Sequence, residues 1–134
     1  MAKACLLGAK KEEEIEIRYK KALETSLDDV IWADGIIIGT PEYFGNMCGA
    51  LKDFFDRTYY PASELEINLP YALFICCEND GSGAERNVDT IASGYVLKKA
   101  LNTLIIKEKD LESRLSELEE MGHTFAAGVA LGIF

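Results

Sequence analysis

The chain has 134 residues, 49% apolar and 28% charged, a balance that supports one globular core and argues against disorder. Its formal net charge of −9 leaves it without the clustered Lys and Arg that nucleic-acid phosphates demand, so no nucleic-acid partner is expected. Cys5, Cys48, Cys76 and Cys77 form no CxxC pair, and the single histidine completes no ligand cluster, so zinc and iron–sulfur sites are not expected.

Met1 to Lys11 reads as a helix with a small apolar face and a lysine pair near its end. Lys3, Lys10 and Lys11 surround only a short apolar run, so no signal peptide is read there, and Phe125 to Phe134 is far short of a membrane span. A cytoplasmic protein without a membrane partner is the expectation. Glu14 to Tyr19 alternates Ile15, Ile17 and Tyr19 with Glu14, Glu16 and Arg18, the pattern of a half-exposed edge strand. Ser26, with Asp29 three residues on, starts a short helix through Trp32.

The stretch Gly35 to Asn46, GIIIGTPEYFGN, organises the rest. Ile36 to Gly39 is too short for a helix and suits a strand covered on both faces. Thr40-Pro41 is expected to halt the ladder, because proline has no N–H to donate. Tyr43, Phe44 and Gly45 form an aromatic loop, and Asn46 is expected to cap a helix carrying Leu51, Phe54, Phe55 and Tyr59. Pro61 and Pro70 then bracket a connection without periodicity, and Tyr71 to Cys77 is an apolar buried strand.

Glu78-Asn79-Asp80-Gly81 is a turn, with Ser82 and Glu85 spaced as a capping box. The following helix is expected to carry Val88, Ile91, Ala92, Leu97 and Leu101, and Leu104 to Lys107 reads as a short strand. Asp110 is expected to cap a last helix with Leu115, Leu118, Gly122, Phe125, Ala126 and Val129 on one face. Helices and strands alternate throughout, which means α/β with a parallel sheet and helices on both faces.

TPEYFGNM, with WADGIIIG before it and GALKDFFDRT after it, resembles the flavin-ring loop of flavodoxin-like proteins, most closely the multimeric flavodoxins and WrbA-type NAD(P)H:quinone oxidoreductases. The motif is confined to Ala33–Thr58, while the order of elements follows the family over residues 1–134 as one flavodoxin-like domain. The resemblance implies a three-layer open parallel sheet whose crevice binds ligand at the strands' carboxyl ends, a rule for which flavodoxin is itself a type case. It also implies that the family's N-terminal strand and its phosphate-binding loop have no counterpart before Met1, as in an N-terminally truncated domain.

On that resemblance the cofactor is FMN, held at its ring by Thr40, Pro41, Glu42, Tyr43, Phe44, Gly45, Asn46 and Met47 and by Asn79, Asp80 and Gly81. Without a phosphate loop the affinity for FMN stays open. By the residues alone, a proline-terminated strand leading to a capped helix is the better reading of Thr40–Met47, and Glu78–Gly83 is better read as a capping turn than as a phosphate loop. Cys48 reads as a packed small residue in preference to a reactive thiol, and His123 as a surface residue.

No Ser/His/Asp or Cys/His constellation appears, so hydrolytic chemistry has no support. The leading expectation is an FMN-dependent redox protein of the NAD(P)H:quinone or flavin reductase type, using NAD(P)H and a quinone or redox-protein partner. A non-catalytic oligomerising or partner-binding module and a flavodoxin-type electron carrier are the alternatives. The apolar Ile36–Ile38 strand wants a neighbour on each edge, so a homodimer or higher oligomer is expected.

Overall fold

The longest apolar run, Tyr71–Cys77, lies within strand β3 (Leu69–Cys77), and the sheet is built around it. The computed structural model describes residues 1–65 and 67–134. Strand β1 (Ile36–Tyr43) pairs with β3 in parallel, from Ile36 opposite Tyr71 to Pro41 opposite Cys76. Two short strands share the other edge of β3, β4 (Leu97–Lys99) at its start and β5 (Leu104–Lys107) at its end. A two-residue strand, β2 (Asn46–Met47), folds back antiparallel on the end of β1.

Period two along β3 divides the core. Tyr71, Leu73, Ile75 and Cys77 face the layer of α2 (Leu27–Trp32), α3 (Gly49–Ser63) and α4 (Ser82–Ala92). Ala72 and Phe74 face α1 (Ala2–Ala9) and α5 (Leu115–Ala130) on the opposite side. The result is the expected three-layer α/β arrangement. Helices α1 and α5 touch at glycines: a Cβ on Gly8 or Gly122 would fall within 2.0 Å of a backbone oxygen of the other helix. At the start of α2 the Ser26/Asp29 capping box forms as read, with Ser26 N–H donating to Asp29 Oδ2 at 2.9 Å.

Several expected boundaries are corrected. Glu14 ends a turn, and residues 15–19 join no sheet among the described residues, although Ile15 and Ile17 are half-buried between exposed neighbours. Alternation says which side chains turn inward; a ladder also needs a neighbouring backbone within about 4.8 Å. The edge of β1 opposite β3 carries no strand over residues 36–41 among the described residues. That open edge is also why Thr40-Pro41 does not halt β1, since a proline is tolerated where no neighbour asks for its N–H.

Asn46 does not cap α3 either. It lies in β2, and Cys48 is the residue that precedes the helix. Pro61 falls within the last turn of α3, where only the bond to the Arg57 carbonyl is forfeited, and Pro70 is the second residue of β3. Leu97 belongs to β4, because α4 ends at Ala92 and the chain returns to pair with Leu69. Asp110 closes a short 3₁₀ turn, Glu108–Asp110, and a second turn, Glu112–Arg114, leads into α5.

Candidate functional site

Adjacent parallel strands end side by side at Tyr43 and Cys77, and the loops that leave them meet. Beyond β1 the chain makes a two-residue hairpin turn. Phe44 (φ +52°) and Gly45 (φ +71°) are both left-handed, and Tyr43 pairs with Asn46 and Glu42 with Met47. Two positive φ values in succession define the type I′ turn, whose twist matches the flanking strands. Glycine enters that conformation freely, but a phenylalanine there costs on the order of 1 kcal/mol or more. Phe44 recovers none of it by packing, for its side chain is fully exposed, and Tyr43 beside it is 60% exposed.

Beyond β3, Glu78 to Gly81 turns into α4, and Gly81 (φ +73°) is the left-handed cap residue. The expected Ser82/Glu85 box does not form. Two other carboxylates serve the helix start. Asp80 Oδ1 accepts the Ser82 N–H at 3.0 Å and the Ser82 hydroxyl at 2.8 Å, bonds that hold its carboxyl below the usual 3.8. Glu42 reaches across from β1, taking the Gly81 N–H on Oε2 at 3.2 Å and the Ala84 N–H on Oε1 at 3.1 Å. A carboxylate on these otherwise unpaired N–H groups satisfies them and opposes the helix dipole.

The hairpin rests on α4 at a second point. Gly83 leaves room for the Gly45 carbonyl, which would lie 2.1 Å from a Cβ placed there, and Asn87 Nδ2 donates to Gly83 O at 2.8 Å and to Gly45 O at 3.4 Å. Between the hairpin and the loop opens a groove of about 350 Å³ lined by Glu42, Tyr43, Phe44, Gly45, Glu78 and Asn79.

Of the residues expected at a flavin ring, the structure brings Glu42, Tyr43, Phe44, Gly45 and Asn79 to this groove. Thr40 and Met47 are buried instead, at 2% and 5% exposure. Thr40 Oγ1 accepts the Cys48 N–H at 3.0 Å and donates to Pro41 O at 2.8 Å, which ties the returning hairpin to β1. Pro41 is held in the β1–β3 ladder, and Asn46 Oδ1 accepts the next N–H, that of Met47, at 2.8 Å. Asp80 and Gly81 serve the start of α4.

Sequence reading placed Glu78 in the loop beside the ring without giving it a contact of its own, and it missed Gly83 and Asn87. Glu78 was legible as the first residue past an apolar strand, while the other two matter only through a contact about forty residues away in sequence. Cys77 lies against this region, and burial, with Glu42 nearby, pushes its thiol up and keeps it protonated. A smaller depression of about 200 Å³ beside α3, lined by Lys52, Phe55, Asp56, Tyr59, Tyr60 and Ile91, lies outside this constellation.

An open parallel sheet with a groove between the loops at its strands' carboxyl ends defines a flavodoxin-like α/β protein, and flavodoxin is itself a type case of that rule. The chain belongs to the NADPH-dependent FMN reductase family, whose model matches residues 3–107. It is 51% identical over 39 residues to an iron–sulfur flavoprotein of Methanocaldococcus jannaschii, a match covering 29% of this chain and 20% of that protein. It is 50% identical over 40 residues to an NAD(P)H dehydrogenase (quinone) of Acidithiobacillus ferrooxidans, covering 30% of this chain and 20% of that one. These matches thus span about a fifth of the length of either relative. A flavodoxin structure from the domain Archaea superposes with a TM-score of 0.71 at 18% identity, covering 95% of this chain and 86% of that one, a likeness of fold. No helix among the described residues is long and apolar enough to cross a membrane.

Proposed function

We propose that the groove holds a flavin ring and that the chain acts as an FMN-dependent NAD(P)H oxidoreductase of the quinone or flavin reductase kind. One observation carries the reading: the Glu42–Gly45 hairpin and the Glu78–Asn79 loop, about 35 residues apart in sequence, line a single groove at the carboxyl ends of adjacent parallel strands. The ring half of FMN fits these residues. Tyr43 and Phe44 offer exposed aromatic surface, and Gly45 lets main chain approach closely. The phosphate half does not fit here, because no Lys or Arg lines the groove and the first N–H groups of α4 already face Glu42 and Asp80.

Once bound, a flavin supplies hydride and electron transfer between NAD(P)H and an acceptor. The chain's own residues have narrower tasks. Tyr43 and Phe44 would shield one flank of the ring from water, and Glu42 and Asn87 hold the hairpin against α4 so that the flank keeps its position. The acceptor on this reading is a quinone or a redox protein. Four free cysteines suit a reducing, cytoplasmic setting. The open edge of β1 supports a homodimer or higher oligomer, since an apolar strand with unpaired backbone invites a second chain.

Titrating FMN into the 134-residue chain and following flavin fluorescence tests the reading. Saturable quenching with quinone-dependent NADPH oxidation is expected. Quenching without direct NADPH oxidation would make the protein an electron carrier. The missing phosphate fit favours one other outcome, no quenching at micromolar protein, which would sink the redox reading and leave a partner-binding module. Sedimentation decides the oligomer, with a clean monomer counting against it.

A further inference from the structure

The start of α4 is where an anion would be expected at this end of the sheet, because its unpaired N–H groups carry the positive end of the helix dipole. In this chain the place is filled from within. Glu42 takes the N–H groups of Gly81 and Ala84 at 3.2 and 3.1 Å, and Asp80 takes that of Ser82 at 3.0 Å. The groove alongside adds Glu78, which is exposed, and its lining includes no cation. Lys107, at the end of β5, is near enough to Asp80 to favour its ionised form but is not among the groove-lining residues.

We propose that the groove selects uncharged planar rings and rejects anionic ones, and that Glu42 sets this selectivity by occupying the anion site itself. The proposal rests on the reading that the groove takes a flavin or quinone ring, and it names the class of ring. A phosphorylated or sulfonated ring meets two carboxylates, Glu42 and Glu78, with no Lys or Arg in the lining to offset them, and the Gly81 and Ala84 N–H groups are already taken by Glu42. An uncharged quinone or a bare isoalloxazine meets Tyr43 and Phe44 and leaves no buried charge unpaired. Affinity for a flavin in this groove therefore comes from its ring, and its phosphate weakens the binding.

Two ligand pairs that share a ring and differ in charge provide the test: riboflavin with FMN, and 1,4-naphthoquinone with its 2-sulfonate. Binding is read from amide shifts of the ¹⁵N-labelled chain, together with those of Glu42→Gln and Glu78→Gln. The uncharged member of each pair is expected to bind about three- to ten-fold tighter at low ionic strength, with the gap closing as salt screens the carboxylates. Glu78→Gln narrows the gap while the Gly81 and Ala84 amides stay in place. Glu42→Gln narrows it further and lets inorganic phosphate shift those two amides, which it does not do in the unaltered chain.

Equal or tighter binding of the anionic members at low salt would overturn the proposal, as would phosphate shifting Gly81 and Ala84 in the unaltered chain. If FMN wins over riboflavin, the selectivity fails while the flavin reading stands. If no ring moves any groove amide, both fail. Should Glu42→Gln not fold, the Glu78→Gln salt dependence decides alone.

Discussion

Replacing Gly122 by alanine puts two effects of opposite sign in competition. In a free helix the exchange would stabilise by about 1 kcal/mol, since glycine is the weaker helix former. In this molecule the new Cβ would lie 2.0 Å from Cys5 O, 2.9 Å from its carbonyl carbon and 3.0 Å from Ala9 N, all backbone atoms of α1. Ordinary contact begins at 3.4 Å, so α1 must retreat by about 1.4 Å. Its buried face, Ala4, Cys5, Gly8 and Ala9, would part from α5, and a gap of that size forfeits half or more of each dispersion contact. Overpacking of this kind costs about 1–3 kcal/mol, and with the helix gain of about 1 kcal/mol set against it we expect a net loss of up to about 2 kcal/mol. Urea unfolding followed by far-UV circular dichroism measures it, with an unchanged slope showing that the unfolded state is not what moved. A thermal midpoint lower by several degrees should accompany the loss. An increase in stability would refute the close approach of the two helices, and with it the packing of the α1–α5 layer.

Phe44→Asn creates the Asn-Gly pair that type I′ turns favour, so stability should rise by about 0.5–1 kcal/mol while ring binding weakens. A loss of stability in urea would mean that Phe44 packs in solution. Tyr71→Phe removes the donor of a 2.8 Å bond to Asp89 from a side chain only 2% exposed, and a loss of about 1–2 kcal/mol is expected; an unchanged midpoint would remove the bond from the account. Asp29 titrates below its usual 3.8 because Lys20 and the Ser26 N–H bond its carboxylate. Its contribution is therefore complete above that value and is lost as pH falls through the lower folded pKa. The advantage of the unaltered chain over Asp29→Asn should hold steady from about pH 7 to pH 5 and shrink below pH 4. An advantage that persists in acid would show that the charge plays no part.

The layers were legible because they depend on period alone. Alternating apolar runs and 3–4 spacing named β1, β3, α3 and α5 before any contact was known. The Ser26/Asp29 cap was legible for a similar reason, since both partners lie within one turn. Boundaries failed wherever a distant neighbour decided them. Pro41 extends a strand because the edge it would have disturbed is open, and Leu97 leaves its helix because Leu69 is there to pair with it. At the site, the aromatic hairpin and the turn after β3 were each readable, but their meeting was not.

The sequence by itself determined an α/β chain with a parallel sheet, an aromatic glycine-containing loop after one buried strand and a turn after the next. Those follow from side-chain chemistry within ten residues or so. Only the tertiary structure decided that Glu42 caps a helix about forty residues away, that the Gly45 carbonyl rests in the space left by Gly83, and that the groove between them is acidic. The reason is physical. A carboxylate's role is set by the N–H groups that surround it, and which groups surround it is fixed by the pairing of β1 with β3, a long-range event that no local pattern records.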